Sequence, residues 1–245
     1  MRFQSVFTPR AAVLICAVLA TAAPAYAAPK DKAVFDLSIR GIRAGQLAMN
    51  GAEANGRYSA AGRLASTGLV GRFVKVSYEA SAKGSVKGGR YTPSLYTEKA
   101  DTGTRVSNEV MKYKRGVPQP SAASAGEEKP PYAVSHSAQG GTVDPMTALY
   151  AALRDVPRDQ VCALSVKMFD GTRRSQIKFS NATAAGDGFT CDGEYRRLKG
   201  FSPEDMAERT KFPFTVTYAP TASGEYQVQK ISMTTLYGAA VLKRR

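Results

Sequence analysis

Short alternating runs of apolar and polar residues, separated by glycine and asparagine, fill the chain over residues 33–116. Phe35, Leu37 and Ile39 share one face of the first run, because successive side chains of a strand point to opposite sides. Turn pairs that accept a positive φ at little cost stand between the runs: Asn50-Gly51, Asn55-Gly56, Gly88-Gly89 and Thr102-Gly103. The pattern predicts a mainly β fold, a curved antiparallel sheet or half-barrel with one or two short helices packed on it.

Two segments depart from this alternation and predict the helices. Asp144 and Pro145 form an N-cap and a first-turn proline, and apolar residues follow them at helical spacing over three turns. Residues 66–73 are ambiguous, and we interpret them as a short helix that leads into a strand. The apolar residues of both helices are expected to meet the concave side of the sheet, as core residues first and as the lining of a ligand cavity second: Leu69, Val70, Phe73, Met146, Leu149, Tyr150 and Leu153.

The first 27 residues have the three parts of a secretory signal peptide. A basic start precedes an apolar run over residues 11–22, and Ala25-Tyr26-Ala27 is a small-x-small cleavage site. An uncleaved anchor is disfavoured, because the run of about 12 residues is shorter than the roughly 20 that a membrane span needs. We therefore predict export to the periplasm with cleavage after Ala27. Residues 28–245 would then form a single β-rich domain without a transmembrane span.

The second half of the chain predicts a hairpin over residues 161–180, with a two-residue turn at Asp170-Gly171, and a further strand over residues 188–197. Cys162 and Cys191 fall in the first and third of these strands. In an oxidising compartment two such cysteines predict a disulfide rather than a metal or catalytic pair, with two buried thiols as the alternative.

Residues 116–142 are rich in proline, serine and alanine and hold few large apolar residues. Such a composition is typical of a flexible excursion between ordered strands. His136, the one histidine of the chain, lies in this stretch. We therefore expect His136 to be solvated and to serve neither as a metal ligand nor as a catalytic base.

The sequence lacks a nucleophile elbow, a phosphate-binding P-loop and a dinucleotide-binding glycine motif. We accordingly predict no catalytic, metal-binding or cofactor-binding residue, and no cofactor. A pair of carboxylates needs no local motif, so a carboxylate-dependent hydrolase stays open as an alternative. Its candidates are Asp192 and Glu194, which lie two apart and so share one face of a strand.

The chain is strongly basic, with a formal net charge of +14. Basic clusters at residues 105–115, 173–174, 196–199 and 243–245 suit an anionic lipid surface or another acidic partner in the envelope. Nucleic acid is disfavoured by the predicted location. The leading hypothesis is a non-enzymatic periplasmic protein that binds an envelope component such as a lipid or another hydrophobe. The alternatives are a basic module that docks on an anionic envelope partner and the hydrolase.

Three stretches together resemble one family: Gly89-Arg90-Tyr91-Thr92-Pro93-Ser94-Leu95-Tyr96, Asp144-Pro145 before a helix, and Phe169-Asp170-Gly171 in a hairpin. They are similar to the periplasmic domain-of-unknown-function family 3108, over about residues 33–242. The resemblance implies an envelope protein with a β-rich fold and assigns no catalytic residues. A more remote likeness joins the chain to lipoprotein-carrier half-barrels, in which a curved sheet surrounds an apolar cavity plugged by helices. That likeness concerns architecture alone.

Overall fold

The computed structural model describes residues 30–73 (without the Leu69 side chain), 75–103, 106–120, 129–235 and 238–245. The predicted signal peptide lies outside these residues. Within them, thirteen strands form one antiparallel sheet: β1 (Asp31–Ile39), β2 (Ile42–Ala54), β3 (Arg57–Ser66), β4 (Ser77–Lys87), β5 (Arg90–Asp101), β6 (Val106–Lys114), β7 (Val117–Pro118), β8 (Ser165–Phe169), β9 (Arg174–Ala185), β10 (Gly188–Lys199), β11 (Lys211–Pro220), β12 (Tyr226–Thr235) and β13 (Gly238–Arg244). Three short α-helices accompany them: α1 (Gly68–Phe73), α2 (Pro145–Leu153) and α3 (Pro203–Glu208).

The sheet consists of two meanders that the first and last strands join. Strands β1 to β7 lie side by side in chain order, strands β8 to β13 do the same, and β1 pairs with β13. In this join Phe35 lies opposite Arg244 and Ile39 lies opposite Ala240. The arrangement confirms the predicted mainly β fold of antiparallel hairpins, and it leaves β7 and β8 as the two edges of the sheet.

The chain between β7 and β8 covers both of these edges. On the β7 side, the Gly141 amide donates a hydrogen bond to the Gly116 carbonyl at 3.3 Å. On the β8 side, the Val143 amide donates to the Lys167 carbonyl at 2.9 Å, and the Val143 carbonyl accepts from the Phe169 amide at 2.8 Å. Uncovered edge strands are templates for aggregation, so this segment protects the sheet.

The composition of residues 116–142 predicted a flexible excursion, but part of this segment is packed against the rest of the protein. Of the residues predicted to form a flexible excursion, those described by the structure include buried polar side chains at His136, Gln139 and Thr142. The prediction of a solvated His136 is wrong: the side chain is 8 % exposed and packs edge-on against Phe169, with ring centroids 5.0 Å apart. Burial, and in lesser measure the charge of Lys129, lowers the pKa of His136 below its ordinary value. A histidine that packs against a core ring in this way is part of the interior.

The sheet curls around α2. Asp144 is the N-cap of this helix, as predicted, and its carboxylate accepts the Thr147 amide at 2.8 Å. The helix contacts β2 to β5 in one meander and β8 in the other. Met146, Tyr150 and Leu153 are fully buried, in one cluster with side chains from both meanders. The concave side of the sheet is therefore filled by a helix.

Two glycines make room for α2. A side chain added at Gly51 would collide with the Tyr150 ring, and one at Gly62 would come within 3.0 Å of the Met146 sulfur. Real Cβ atoms hardly ever approach other atoms so closely, which shows that helix and sheet are in tight contact at these positions.

The interpretation of residues 66–73 as a short helix before a strand is confirmed by α1. This helix lies across the ends of β2 and β3, where the Thr67 amide donates to the Ala44 carbonyl at 3.1 Å. Val70 is partly buried, but Phe73 is 85 % exposed. Phe73 therefore does not meet the concave side as expected, because a single short helix at the rim turns one of its faces to solvent.

The β8–β9 hairpin has a longer turn than its sequence suggested. Residues 170–173 separate the strands, and Phe169 pairs with Arg174. The Asp170 carboxylate accepts the Thr172 amide at 3.0 Å and the Arg173 amide at 2.7 Å. The predicted two-residue turn is wrong, because this side chain organises four residues in place of two.

A disulfide joins Cys162 to Cys191, as predicted, with the two Cα atoms 5.4 Å apart. Cys191 lies in β10 and is fully buried. Cys162 lies in the turn before β8 rather than in a strand, and its backbone has a left-handed φ of 60°. The bond therefore ties the segment after α2 to the second meander.

Candidate functional site

The connections between strands alternate between two ends of the sheet. At one end lie α1, α3 and the turn at residues 170–173, and we call this end the mouth. At the other end, the base, lie the turns at residues 55–56, 88–89 and 186–187. Pro145, the first residue of α2, lies towards the mouth, and the last turn of α2 lies towards the base, where the Tyr150 hydroxyl donates to Asp31 at 2.6 Å.

A cavity of about 670 Å³ opens at the mouth. Strands β4 to β6 form one wall, the β8–β9 turn forms the other, and Pro145 of α2 contributes to the lining. The volume lies within the range of roughly 300 to 1,000 Å³ that is usual for small-molecule sites. Polar and apolar side chains share the lining, among them Tyr78, Glu98, Glu109, Lys129, Tyr132 and Met168.

Two glutamates occupy neighbouring positions on adjacent strands of the β4–β6 wall. Glu98 of β5 lies directly opposite Glu109 of β6 in the antiparallel register. The Tyr96 hydroxyl donates a hydrogen bond to Glu98 Oε2 at 2.5 Å. Burial raises the pKa of Tyr96 well above its ordinary value, and the charge of Glu98 adds to the rise. The two carboxylates give this wall of the cavity a negative character, and the Glu109 carboxyl group reaches the β8–β9 turn beside Gly171.

The opposite wall carries both charge signs. Asp170 forms an ion pair with Arg173, with Nε and Oδ2 2.9 Å apart, and the Lys129 ammonium donates to the Gly171 carbonyl at 3.1 Å. Asp170 is thereby tied to its own turn and to Arg173. The cavity is consequently asymmetric, with a carboxylate pair on β5 and β6 and cationic side chains near the β8–β9 turn.

A buried polar network lies around the start of α2. Asp144 is fully buried and accepts a second hydrogen bond, from the Thr147 hydroxyl at 2.7 Å. The Tyr58 hydroxyl lies 2.7 Å from the same Thr147 oxygen and links the network to β3. Burial raises the pKa of Asp144 to about 6, although the hydrogen bonds from Thr147 oppose the rise. The sequence indicated the cap but not its burial.

We expect Asp144→Asn to flatten the pH dependence of stability. With a folded-state pKa of about 6, above its ordinary 3.8, Asp144 stabilises the fold at low pH, and that contribution is lost as the pH rises towards and through 6. At about 1.4 kcal/mol per pKa unit, the loss approaches 3 kcal/mol. Asparagine keeps the capping oxygen and does not titrate.

The measurement is urea unfolding of both proteins between about pH 4 and pH 7. Every other titrating group is common to the two chains, so the difference between their stability curves isolates Asp144. Curves that stay parallel over this interval would contradict the assignment.

Of the residues that were predicted to line a cavity, those that the structure describes do not line the mouth cavity. Met146, Leu149, Tyr150 and Leu153 belong to the packed cluster around α2, and Pro145 is the α2 residue that lines the mouth cavity. Val70 and Phe73 belong to the rim helix α1, and the Leu69 side chain lies outside the described residues.

Asp192 and Glu194 share the outer face of β10, as their spacing predicts. Asp192 accepts a hydrogen bond from the Asn181 amide group at 2.8 Å, and Glu194 forms an ion pair with Arg196 at 2.7 Å. Both line an open groove on the outside of the second meander. They lie away from the mouth cavity, whereas Glu98 and Glu109, which the sequence did not single out, both line it.

The fold and this site define a class of protein: an antiparallel meander sheet curled around one buried helix, with a cavity of mixed polar and apolar lining at one end. The chain belongs to the family described as protein of unknown function (DUF3108), whose family model matches residues 34–243. A search of the curated proteins finds no match. Among solved structures, the chain is similar to the crystal structure of a β-barrel-like protein of the domain of unknown function DUF1849 from Brucella abortus. The two share 11 % sequence identity over 87 % of this chain and 94 % of the other, with a TM-score of 0.48.

In the part of the chain that the structure describes, each helix is too short or too polar to cross a membrane.

Proposed function

We propose that the protein is exported to the periplasm and there binds an envelope component without catalysing a reaction on it. The proposed ligand is an amphiphile whose head group carries a protonated amine, and its place is the mouth cavity. The opposed carboxylates of Glu98 and Glu109 are the observation that carries this proposal.

Export is supported by the signal-like start of the sequence and by the disulfide, since structural disulfides persist in oxidising compartments. Cleavage after Ala27 would remove no residue of β1, which begins at Asp31. Cleavage there also leaves intact the ion pair of Lys30 with Glu225 and the hydrogen bond that the Asp31 carboxylate accepts from Tyr150.

The cavity lining combines charged, aromatic and apolar side chains, which is why we propose an amphiphilic ligand. A protonated amine at this wall would form charge-assisted hydrogen bonds with the carboxylates of Glu98 and Glu109, which share one face of the β5–β6 pair. Tyr78 and Tyr132 add aromatic faces that attract cations and pack against hydrocarbon. Because α2 fills the interior, the apolar part of the ligand would lie along the mouth and would not enter the core.

We propose binding rather than hydrolysis because the carboxylates of the hydrolase alternative are already engaged on the outer face. Asp192 is hydrogen-bonded to Asn181, and Glu194 is paired with Arg196. A general acid and a general base would instead have to flank a substrate.

The test is calorimetric titration of the mature protein with lysophosphatidylethanolamine, and in parallel with lysophosphatidylglycerol, which has no amine. We expect tighter binding of the ethanolamine lipid. Glu98→Gln combined with Glu109→Gln should weaken that binding by about tenfold or more, because hydrogen bonds between charged groups are lost. Asp192→Asn combined with Glu194→Gln is the matched control, and it should leave the affinity unchanged.

Equal affinity for both lipids, or no binding of either, would defeat the amine-binding proposal. Release of fatty acid or head group during prolonged incubation would overturn its non-enzymatic part. Native mass spectrometry of protein purified gently from periplasm would add the identity of any lipid that copurifies.

A further inference from the structure

Exposed hydrophobic side chains gather at the mouth. Of the residues that the structure describes, five large hydrophobic ones are exposed, and four of these lie at this end: Ile42 (56 % exposed), Phe73 (85 %), Val106 (73 %) and Tyr132 (40 %). The fifth, Val34, lies on the outer face of β1. Single exposed apolar residues are ordinary, but their concentration at one end marks a surface that meets another apolar phase.

Basic residues flank two of these apolar residues in the sequence. Arg40 and Arg43 flank Ile42, and Arg72 and Lys75 flank Phe73, all four in exposed positions. On the far side of the cavity the mouth carries further exposed basic residues: Lys129, Arg173, Lys199 and Lys211.

Several acidic groups at this end, outside the cavity, are engaged within the protein. Asp36 pairs with Arg43 and with Arg245, and the Asp101 carboxylate accepts the Gly103 amide at 2.8 Å. In α3, Asp205 and Glu208 lie 3.1 Å and 3.9 Å from the Arg197 guanidinium. Beside Phe73, the charges of Arg72 and Lys75 are therefore the ones presented to a partner.

We propose that the mouth docks on a membrane surface rich in anionic phospholipid. Phe73 and Ile42 would enter the boundary between head groups and acyl chains, and Arg72 and Lys75 would lie among the phosphates. Each basic side chain near such a surface strengthens binding roughly fivefold. Docking in this orientation turns the mouth cavity towards the bilayer, yet it does not depend on what the cavity binds.

The test is cosedimentation of the mature protein with vesicles of phosphatidylcholine, with and without phosphatidylglycerol. We expect binding to the anionic vesicles and only weak binding to the neutral ones. Arg72→Glu combined with Lys75→Glu should weaken binding by at least about tenfold. Lys87→Glu combined with Arg90→Glu makes the same change in net charge at exposed positions of the base, and should change binding by less than about twofold.

A second pair of variants tests the apolar contribution. Phe73→Ser should weaken vesicle binding by about fivefold or more, whereas Val34→Ser, on the outer face, should not alter it. Because all six substituted side chains are exposed, urea unfolding should show all four variants to be folded.

Equal weakening by the mouth and base charge reversals would overturn the proposal, since it would show attraction by net charge alone. Absence of binding to anionic vesicles would overturn it as well. The outcome is separable from that of the proposed function, because Glu98→Gln with Glu109→Gln should leave vesicle binding intact. Arg72→Glu with Lys75→Glu should likewise leave the titration with lysophosphatidylethanolamine intact.

Discussion

Replacing Tyr150 with alanine is expected to lower the free energy of unfolding by about 4 kcal/mol, because it removes a large, fully buried ring that packs α2 against the sheet. The ring is fully buried, lies against Gly51 and packs near Tyr58 and Tyr91, with centroids 6.4 Å and 6.1 Å away. Its hydroxyl also satisfies the buried Asp31. Truncation leaves both a cavity and a carboxylate without this donor.

Urea unfolding followed by circular dichroism measures this loss, and two variants divide it. Tyr150→Phe keeps the packing and removes the hydroxyl, which should cost about 1 to 2 kcal/mol. Tyr132→Ala removes a ring from an exposed position and should stay within about 0.5 kcal/mol of the parent. If Tyr150→Ala costs no more than Tyr132→Ala, the interior around α2 is not packed as described.

Loss of the Cys162–Cys191 disulfide is the second large effect that we expect, at about 3 to 4 kcal/mol. The bond closes a loop between cysteines 29 positions apart, and opening the loop restores conformational freedom to the unfolded chain. The expected result is a lower urea midpoint after the protein has been unfolded, reduced and refolded under reductant.

Cys162→Ala combined with Cys191→Ala gives the same comparison without reductant. Because Cys191 is fully buried, the alanine variant also loses some packing, so reduction of the parent protein gives the cleaner value. Identical mobility on gels with and without reductant, together with an unchanged melting temperature, would show that the bond does not form in solution.

Local signals in the sequence were enough to predict most elements. The alternation of Phe35, Leu37 and Ile39 indicates a strand wherever that strand pairs. Asp144 and Pro145 mark the start of α2 because a cap and a first-turn proline act within one turn of the helix. The disulfide was predicted from two cysteines together with the expectation of an oxidising compartment.

The candidate site could not be predicted in the same way, because it depends on strand register. Glu98 faces Glu109 only because β5 and β6 pair as they do, and a shift of one residue would turn either side chain to the other face. Burial of His136 depends on a segment that closes the gap between β7 and β8, a contact between parts of the chain that are distant in sequence. Phe73 at helical spacing indicated a helix but not which side of the sheet the helix would occupy.

The pairing of β1 with β13 has a consequence for how the chain folds. Among the described strands, all other pairings join neighbours in the chain, so each meander can assemble from successive local hairpins. β1 instead pairs with β13, the last of the described strands, and until that pairing forms one of its edges has no partner. Completion of the sheet therefore needs one long-range step in addition to the local hairpins. Before that step the folding chain exposes an unpaired strand edge, so partly folded molecules are expected to be more prone to aggregate than the completed sheet.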